Sequence, residues 1–105
     1  MALKTKTEHP HIVRVKEVRG GRPIIKDTAI EVALIVKLHK MGESVDEILS
    51  LYPHLAPAAV YDALSYYHDH QKEIEHLIAD QDIQVILEQN DLTIDYQGHI
   101  VPRNK

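Results

Sequence analysis

A chain of 105 residues, 44% of them apolar, has room for one domain around one small core. It contains no Cys, which excludes disulfides and thiolate metal sites, and no Trp or Phe, so Leu, Ile, Val and Tyr must fill the interior. The net charge of −4 is unevenly spread: nine bases against four acids up to Lys40 make that part +5, and three against twelve from Met41 onward make the rest −9. Such an asymmetry fits either two different partners or two solvated surfaces that offset each other in the fold. The start, Met-Ala-Leu-Lys-Thr-Lys-Thr-Glu, has no apolar run behind its charges, so no secretory leader is expected. The longest apolar run, Val32 to Val36, is too short to span a bilayer, and a cytoplasmic protein is expected.

Residues 1–10 read as a mobile basic arm. His11 to Val18 is β-branched and alternating, with Val13 and Val15 on one face and Ile12, Arg14 and Lys16 on the other. Gly20-Gly21 signals a turn, after which Pro23 to Lys26 can return as a second strand. Thr28 and Glu31 have the spacing of a capping box, which predicts a helix running to about Met41 with Gly42 as its stop. Ile30, Ala33, Leu34, Leu38 and Met41 form its expected core face. Val32, Ile35 and Val36 form a second apolar side, so the helix is expected to be buried between other elements or at a dimer interface.

Ser44 and Glu47 make another capping box and open a short helix with Ile48 and Leu51 on its apolar face. Pro53 ends that helix, and Pro57 suits the first position of the next. The longer helix carries Val60, Ala63, Leu64 and Tyr67 at spacings of three and four; Val60 and Leu64 are expected to pack against Leu34 and Ile48. Its stripe continues through Ile74, Leu77 and Ile78, so the helix is expected to run on past Tyr67. Asp80-Gln81-Asp82 interrupts it, with Asp82 as a candidate cap for a last helix through Ile86 and Leu87. Leu92 to Tyr96 and His99 to Val101 read as a closing hairpin.

The expected fold is therefore mainly α. It has a three-helix helix-turn-helix core of the homeodomain or winged-helix kind, a short N-terminal β-hairpin and a C-terminal helix and hairpin extension. It reads as a single domain, with the arm at 1–10, the core at 11–79 and the extension at 80–105.

Three stretches, VRGGRPIIKDTAIEV, MGESVDEILSLYPHL and VYDALSYYHDHQKEIE, resemble in order and spacing the DUF433 family of small prokaryotic proteins, over roughly His9 to Glu75. That resemblance implies a helix-turn-helix-like fold and an antitoxin-like component paired with a PIN-domain-like toxic nuclease, with no enzymatic activity. The chain departs from the family where Asp27-Thr28-Ala29 stands in place of the common Gly-Thr-Arg, and where Ala56 replaces a Ser or Thr cap.

The second helix of the pair offers Pro57, Ala58, Ala59, Tyr61, Asp62 and Ser65 near its start, none of them a strong reader of base edges. The expected contacts to a DNA backbone are instead Lys4, Lys6, Arg14, Lys16, Arg19, Arg22 and Lys26, making weak electrostatic binding. His68-Asp69-His70 and Glu73-x-x-His76 are poor or partial metal patterns, and Tyr66 to Asp69 do not converge as neighbours on one helix. No catalytic residue, cofactor or metal is expected. The function expected is a non-catalytic antitoxin-like regulator, homodimeric, that binds its toxin, with operator DNA as an open second partner. The alternative is a homo-oligomeric interaction module without a DNA role.

Overall fold

The computed structural model describes residues 4–80 and 83–103. Lys4–Lys6 (β1), Ile12–Val15 (β2) and Ile24–Ile25 (β3) form an antiparallel sheet in that order. Helices follow at Val32–Lys40 (α1), Val45–Leu51 (α2), Pro57–Asp69 (α3), Gln71–Ala79 (α4) and Ile83–Gln89 (α5), and the hairpin Leu92–Ile94 (β4) with Ile100–Pro102 (β5) completes the described chain. The architecture is mixed, helical for the most part, with two small antiparallel sheets. Among the described residues no helix is long and apolar enough to cross a membrane. The expected cap Asp82 lies outside the described residues.

Four sequence expectations are corrected. First, from Lys4 onward the mobile arm is an edge strand, with Lys4, Thr5 and Lys6 opposite Val15, Arg14 and Val13. Strand β2 presents backbone donors and acceptors on both sides, and β1 satisfies the side that β3 does not. Second, Thr28 is no helix cap. Its hydroxyl donates to the Ile25 carbonyl at 2.8 Å and accepts from the Ile30 N–H at 2.9 Å, closing a turn after β3. The Ile25 N–H bonds to the Ile30 carbonyl and the Val32 N–H to the Pro23 carbonyl, so the chain stays extended until Glu31 and the helix begins at Val32. Asp27 enters this turn at φ 64°, the left-handed region that Gly occupies freely and Asp tolerates, which gives the departure from Gly here a physical setting.

Third, the long helix is broken. His70 has φ −135° and ψ 44°, which separates α3 from α4 and turns α4 back so that Ile74, 0% exposed, reaches the core. Fourth, the buried aromatic of α3 is Tyr66, at 1% exposure, while Tyr67 and Leu64 are half-buried and pack at the edge of the core. Ala59, Val60, Ala63 and Tyr66 are the buried positions of α3, a stripe of helical spacing rotated from the one that includes Leu64 and Tyr67.

The other core signals of the helices act as expected except at Met41, which caps the end of α1 and is 39% exposed. Ile30, Leu34, Leu38, Ile48 and Val60 are buried, and Leu51 is half-buried against them. The apolar sides of α1 are covered within the chain by α2, α3 and α4, so its burial does not call for a second copy. Gly42, at φ 104°, ends α1 in a Schellman turn: its N–H bonds to the His39 carbonyl and that of Glu43 to the Leu38 carbonyl, each at 3.1 Å.

The Ser44 capping box is complete, with Glu47 N–H to the Ser44 hydroxyl at 3.1 Å and Ser44 N–H to the Glu47 carboxylate at 2.7 Å. Ser44→Ala is expected to cost about 1 kcal/mol, the usual loss of a helix N-cap. The Ser44 backbone N–H, and then its side chain, hold the Glu47 carboxyl below its ordinary range. A depressed carboxyl stabilises the fold above its unfolded-state pKa and ceases to do so as pH falls through its folded pKa. The gap in urea midpoint between wild type and Glu47→Gln should therefore narrow in acid. A gap that stays constant down to full protonation would show that the carboxylate takes no part.

Candidate functional site

The polar groups of the chain gather where the β1–β2 loop meets the α3–α4 corner. Thr7 shapes that loop. Its hydroxyl donates to the Ile12 carbonyl at 2.7 Å and accepts from the His9 N–H at 3.1 Å, while the Ile12 N–H closes on the His9 carbonyl. This tight turn drives the His9 ring inward to 8% exposure.

On α3, Asp62, Tyr66 and Asp69 are spaced four and three apart and so share one face. Asp62 Oδ1 is 2.7 Å from His9 Nδ1, and its Oδ2 accepts from the His11 N–H at 2.9 Å. Asp69 Oδ2 is 2.8 Å from His9 Nε2. Tyr66 lies between two imidazoles, edge-on to His9 at 5.3 Å and stacked on His70 at 4.2 Å. Its hydroxyl accepts from Arg14 Nη2 at 2.9 Å and donates to Glu73 at 3.2 Å, and Arg14 closes the triangle on Glu73 at 2.5 Å. His70 Nε2 contacts Glu8 at 2.7 Å.

The electrostatics follow from these contacts. Burial works against a charge on His9, but its hydrogen bonds to Asp62 and then Asp69 outweigh it and raise the pKa. Burial pushes the Tyr66 phenol up. Glu8 is held below its ordinary value by its own backbone N–H and then by His70. With both ring nitrogens facing carboxylates, His9 is not a free base for chemistry. The arrangement instead ties a loop to a helix separated from it by roughly half the chain. Glu8, His9 and Asp69 also each offer one ligand atom within 4.8 Å of the others, making them a metal-competent group.

The seven expected DNA-backbone residues divide by type. Arg14 is held by Glu73 and Tyr66. Arg22 pairs with Glu31 at 2.7 and 3.2 Å, and Arg19 donates to the Ala29 carbonyl and to Asn90. Lys4, Lys6, Lys16 and Lys26 are exposed, and among the described residues no ion pair engages them. Lys4, Lys6 and Lys26 border a cleft of about 260 Å³ floored by Ile12 and Val13. Of the stretch Tyr66 to Asp69, only Tyr66 and Asp69 converge, through His9; Tyr67 donates instead to Glu75, over which Lys40 also lies at 3.0 Å. Glu73 and His76 take different partners, Arg14 and Asp80. The 62, 66, 69 spacing is visible in the sequence, but nothing local links it to His9.

A family model for DUF433, proteins of unknown function, matches residues 12–67. A crystal structure of a DUF433 member protein from Anabaena variabilis ATCC 29413 is similar at 30% identity and a TM-score of 0.64, covering 69% of this chain and 70% of that one. Comparison with curated proteins finds no match.

Proposed function

The chain belongs to the DUF433 family, whose function is unknown, and within it we propose a non-catalytic, antitoxin-like regulator acting in the cytoplasm. Its partner is a PIN-domain-like toxic nuclease, and α2, the following turn and α3 serve as a helix-turn-helix unit that builds a protein-binding surface. The observation that supports this reading is the division of charge. The groups that could do chemistry at the α3–α4 corner are engaged with one another within the fold, whereas four lysines on and beside the N-terminal sheet remain open to a partner. The outer face of α3 presents Ala58, Tyr61 and Ser65, with Tyr61 60% exposed, which suits a protein contact better than base readout.

The test is co-expression with a PIN-domain-like nuclease from the same operon. The two proteins should co-elute, and the nuclease should lose activity in the complex. A nuclease equally active with and without this protein would overturn the reading. Operator DNA, the second partner in this proposal, is held through phosphates by the lysines. Replacing Lys4, Lys6, Lys16 and Lys26 by Ala should weaken binding to its own upstream region and to a scrambled duplex alike. The salt dependence should flatten by about one unit of slope for each lysine–phosphate pair removed. Tight, sequence-selective binding that Tyr61→Ala abolishes would instead make α3 a recognition helix.

The alternative, a homo-oligomeric module without a DNA role, has exposed Tyr61, Val85 and Tyr96 to draw on. Pairing of two β1 edges would set lysines against lysines and is disfavoured. Sedimentation with and without the nuclease separates a homodimer that takes up a partner from one that does not.

A further inference from the structure

We propose that Glu8, His9 and Asp69 bind a divalent transition-metal ion of the zinc class, which cross-links the β1–β2 loop to the C-terminal end of α3. The proposal goes beyond the regulatory reading and does not rest on it.

A neutral imidazole has one N–H, yet both ring nitrogens of His9 lie within 2.8 Å of a carboxylate oxygen. One of these contacts therefore needs a cation between nitrogen and oxygen, either a second proton or a metal. Asp62 settles which nitrogen is free. Its second oxygen is anchored by the His11 N–H, so it is a fixed acceptor for Nδ1–H and leaves the Nε2 lone pair directed at Asp69. A carboxylate that orients an imidazole from behind is the usual support of a metal-bound histidine.

The ligand atoms are close enough. Those of Glu8, His9 and Asp69 lie within 4.8 Å of one another, and ligands around a tetrahedral zinc are separated by about 3.3 Å. Small torsional changes bridge that difference. The side chains of Asp69 and Glu8 are 59% and 57% exposed, so they can make them without disturbing the core, while His9 stays fixed. The local charge also favours a dication: Glu8, Asp62, Asp69 and Glu73 meet here, and Arg14 is the one permanently charged base among their partners in the described residues. An imidazole with carboxylates selects zinc, nickel or cobalt over magnesium or calcium, and the solvent side leaves the fourth position to water. The cross-link would join residues 60 apart in sequence.

The experiment uses the full chain, stripped with chelator and titrated with Zn2+ alone by calorimetry at neutral pH. One ion should bind per chain, and the melting temperature should rise with zinc concentration, because only the folded state holds the site. Co2+ should give the visible absorption of a low-coordinate nitrogen and oxygen site, and Mg2+ at the same concentration should do neither. Glu8→Gln and Asp69→Asn, both at exposed positions, should each weaken zinc binding at least about tenfold, and Asp62→Asn should do so by about 10–100-fold through loss of the orienting carboxylate. His54→Gln, at an exposed histidine outside the cluster, should leave binding unchanged. If His9→Gln does not fold, the two exposed variants decide the matter. The absence of saturable one-to-one binding, or binding that survives Glu8→Gln and Asp69→Asn, would overturn the proposal and assign the cation at His9 to a proton.

Discussion

Tyr66→Ala should lower the unfolding free energy by about 3–5 kcal/mol, the range for truncating a large aromatic in a packed core. The ring is 1% exposed and sits between His9 and His70, so its removal leaves a void that two constrained imidazoles cannot fill. Tyr66→Phe keeps the ring and deletes only the hydroxyl between Arg14 and Glu73. Because those partners are charged and bond to each other, its expected cost is smaller, about 1.5–3 kcal/mol. Tyr67→Ala is the comparison that decides between faces: Tyr67 is half-buried, and its hydroxyl bonds to the exposed Glu75. Urea unfolding of the three variants should rank them Tyr66→Ala, Tyr66→Phe, Tyr67→Ala in decreasing loss. A larger loss for Tyr67→Ala than for Tyr66→Ala would show that α3 is rotated from the orientation described.

Arg22→Ala should destabilise the protein by about 3 kcal/mol, because it leaves a buried carboxylate without its partner. The Glu31 side chain is 7% exposed and receives both the Nε and Nη2 bonds of Arg22. The guanidinium is 30% exposed, so water takes up part of the loss, which sets it at the low end for a broken buried pair. Adding Glu31→Gln to Arg22→Ala should recover part of the stability, since the stranded charge is then gone. A double mutant whose loss equals the sum of the single losses would mean that the two side chains act independently. The same variants separate two roles for Arg22. A DNA-backbone residue would change binding and leave the melting temperature alone, and the pairing with Glu31 predicts the reverse.

The elements whose signals are local could be read from the chain alone. Ser44 and Glu47 cap α2 as their spacing demands, Gly42 closes α1 because a left-handed residue is needed there, and Pro53 and Pro57 bracket the turn between α2 and α3. Burial of Leu34, Leu38, Ile48 and Val60 followed from helical periodicity, Ile30 is buried from the extended stretch before α1 instead, and β-branched alternation placed a strand at β2. Each of these depends on residues within about one or two helical turns of one another.

What tertiary structure decided depends on partners far apart in sequence. Thr28 and Glu31 have capping-box spacing, but Arg22 holds the Glu31 carboxylate and Thr28 closes the turn after β3, so the helix starts late. Lys4 to Lys6 look like a charged arm until the free edge of β2 supplies their hydrogen bonds. An apolar stripe, interrupted at Gln71, runs from Tyr67 to Ile78, yet His70 leaves helical geometry while stacked on Tyr66 and in contact with Glu8. Arg14 and Arg22 look like free surface charge in the sequence but are drawn inward by Glu73 and Glu31, and the lysines of the same segment are not. The physical reason is the same throughout: capping, turn formation and periodicity are set by neighbours along the chain, whereas a charge, a ring or a strand edge is satisfied by whichever group the fold brings against it.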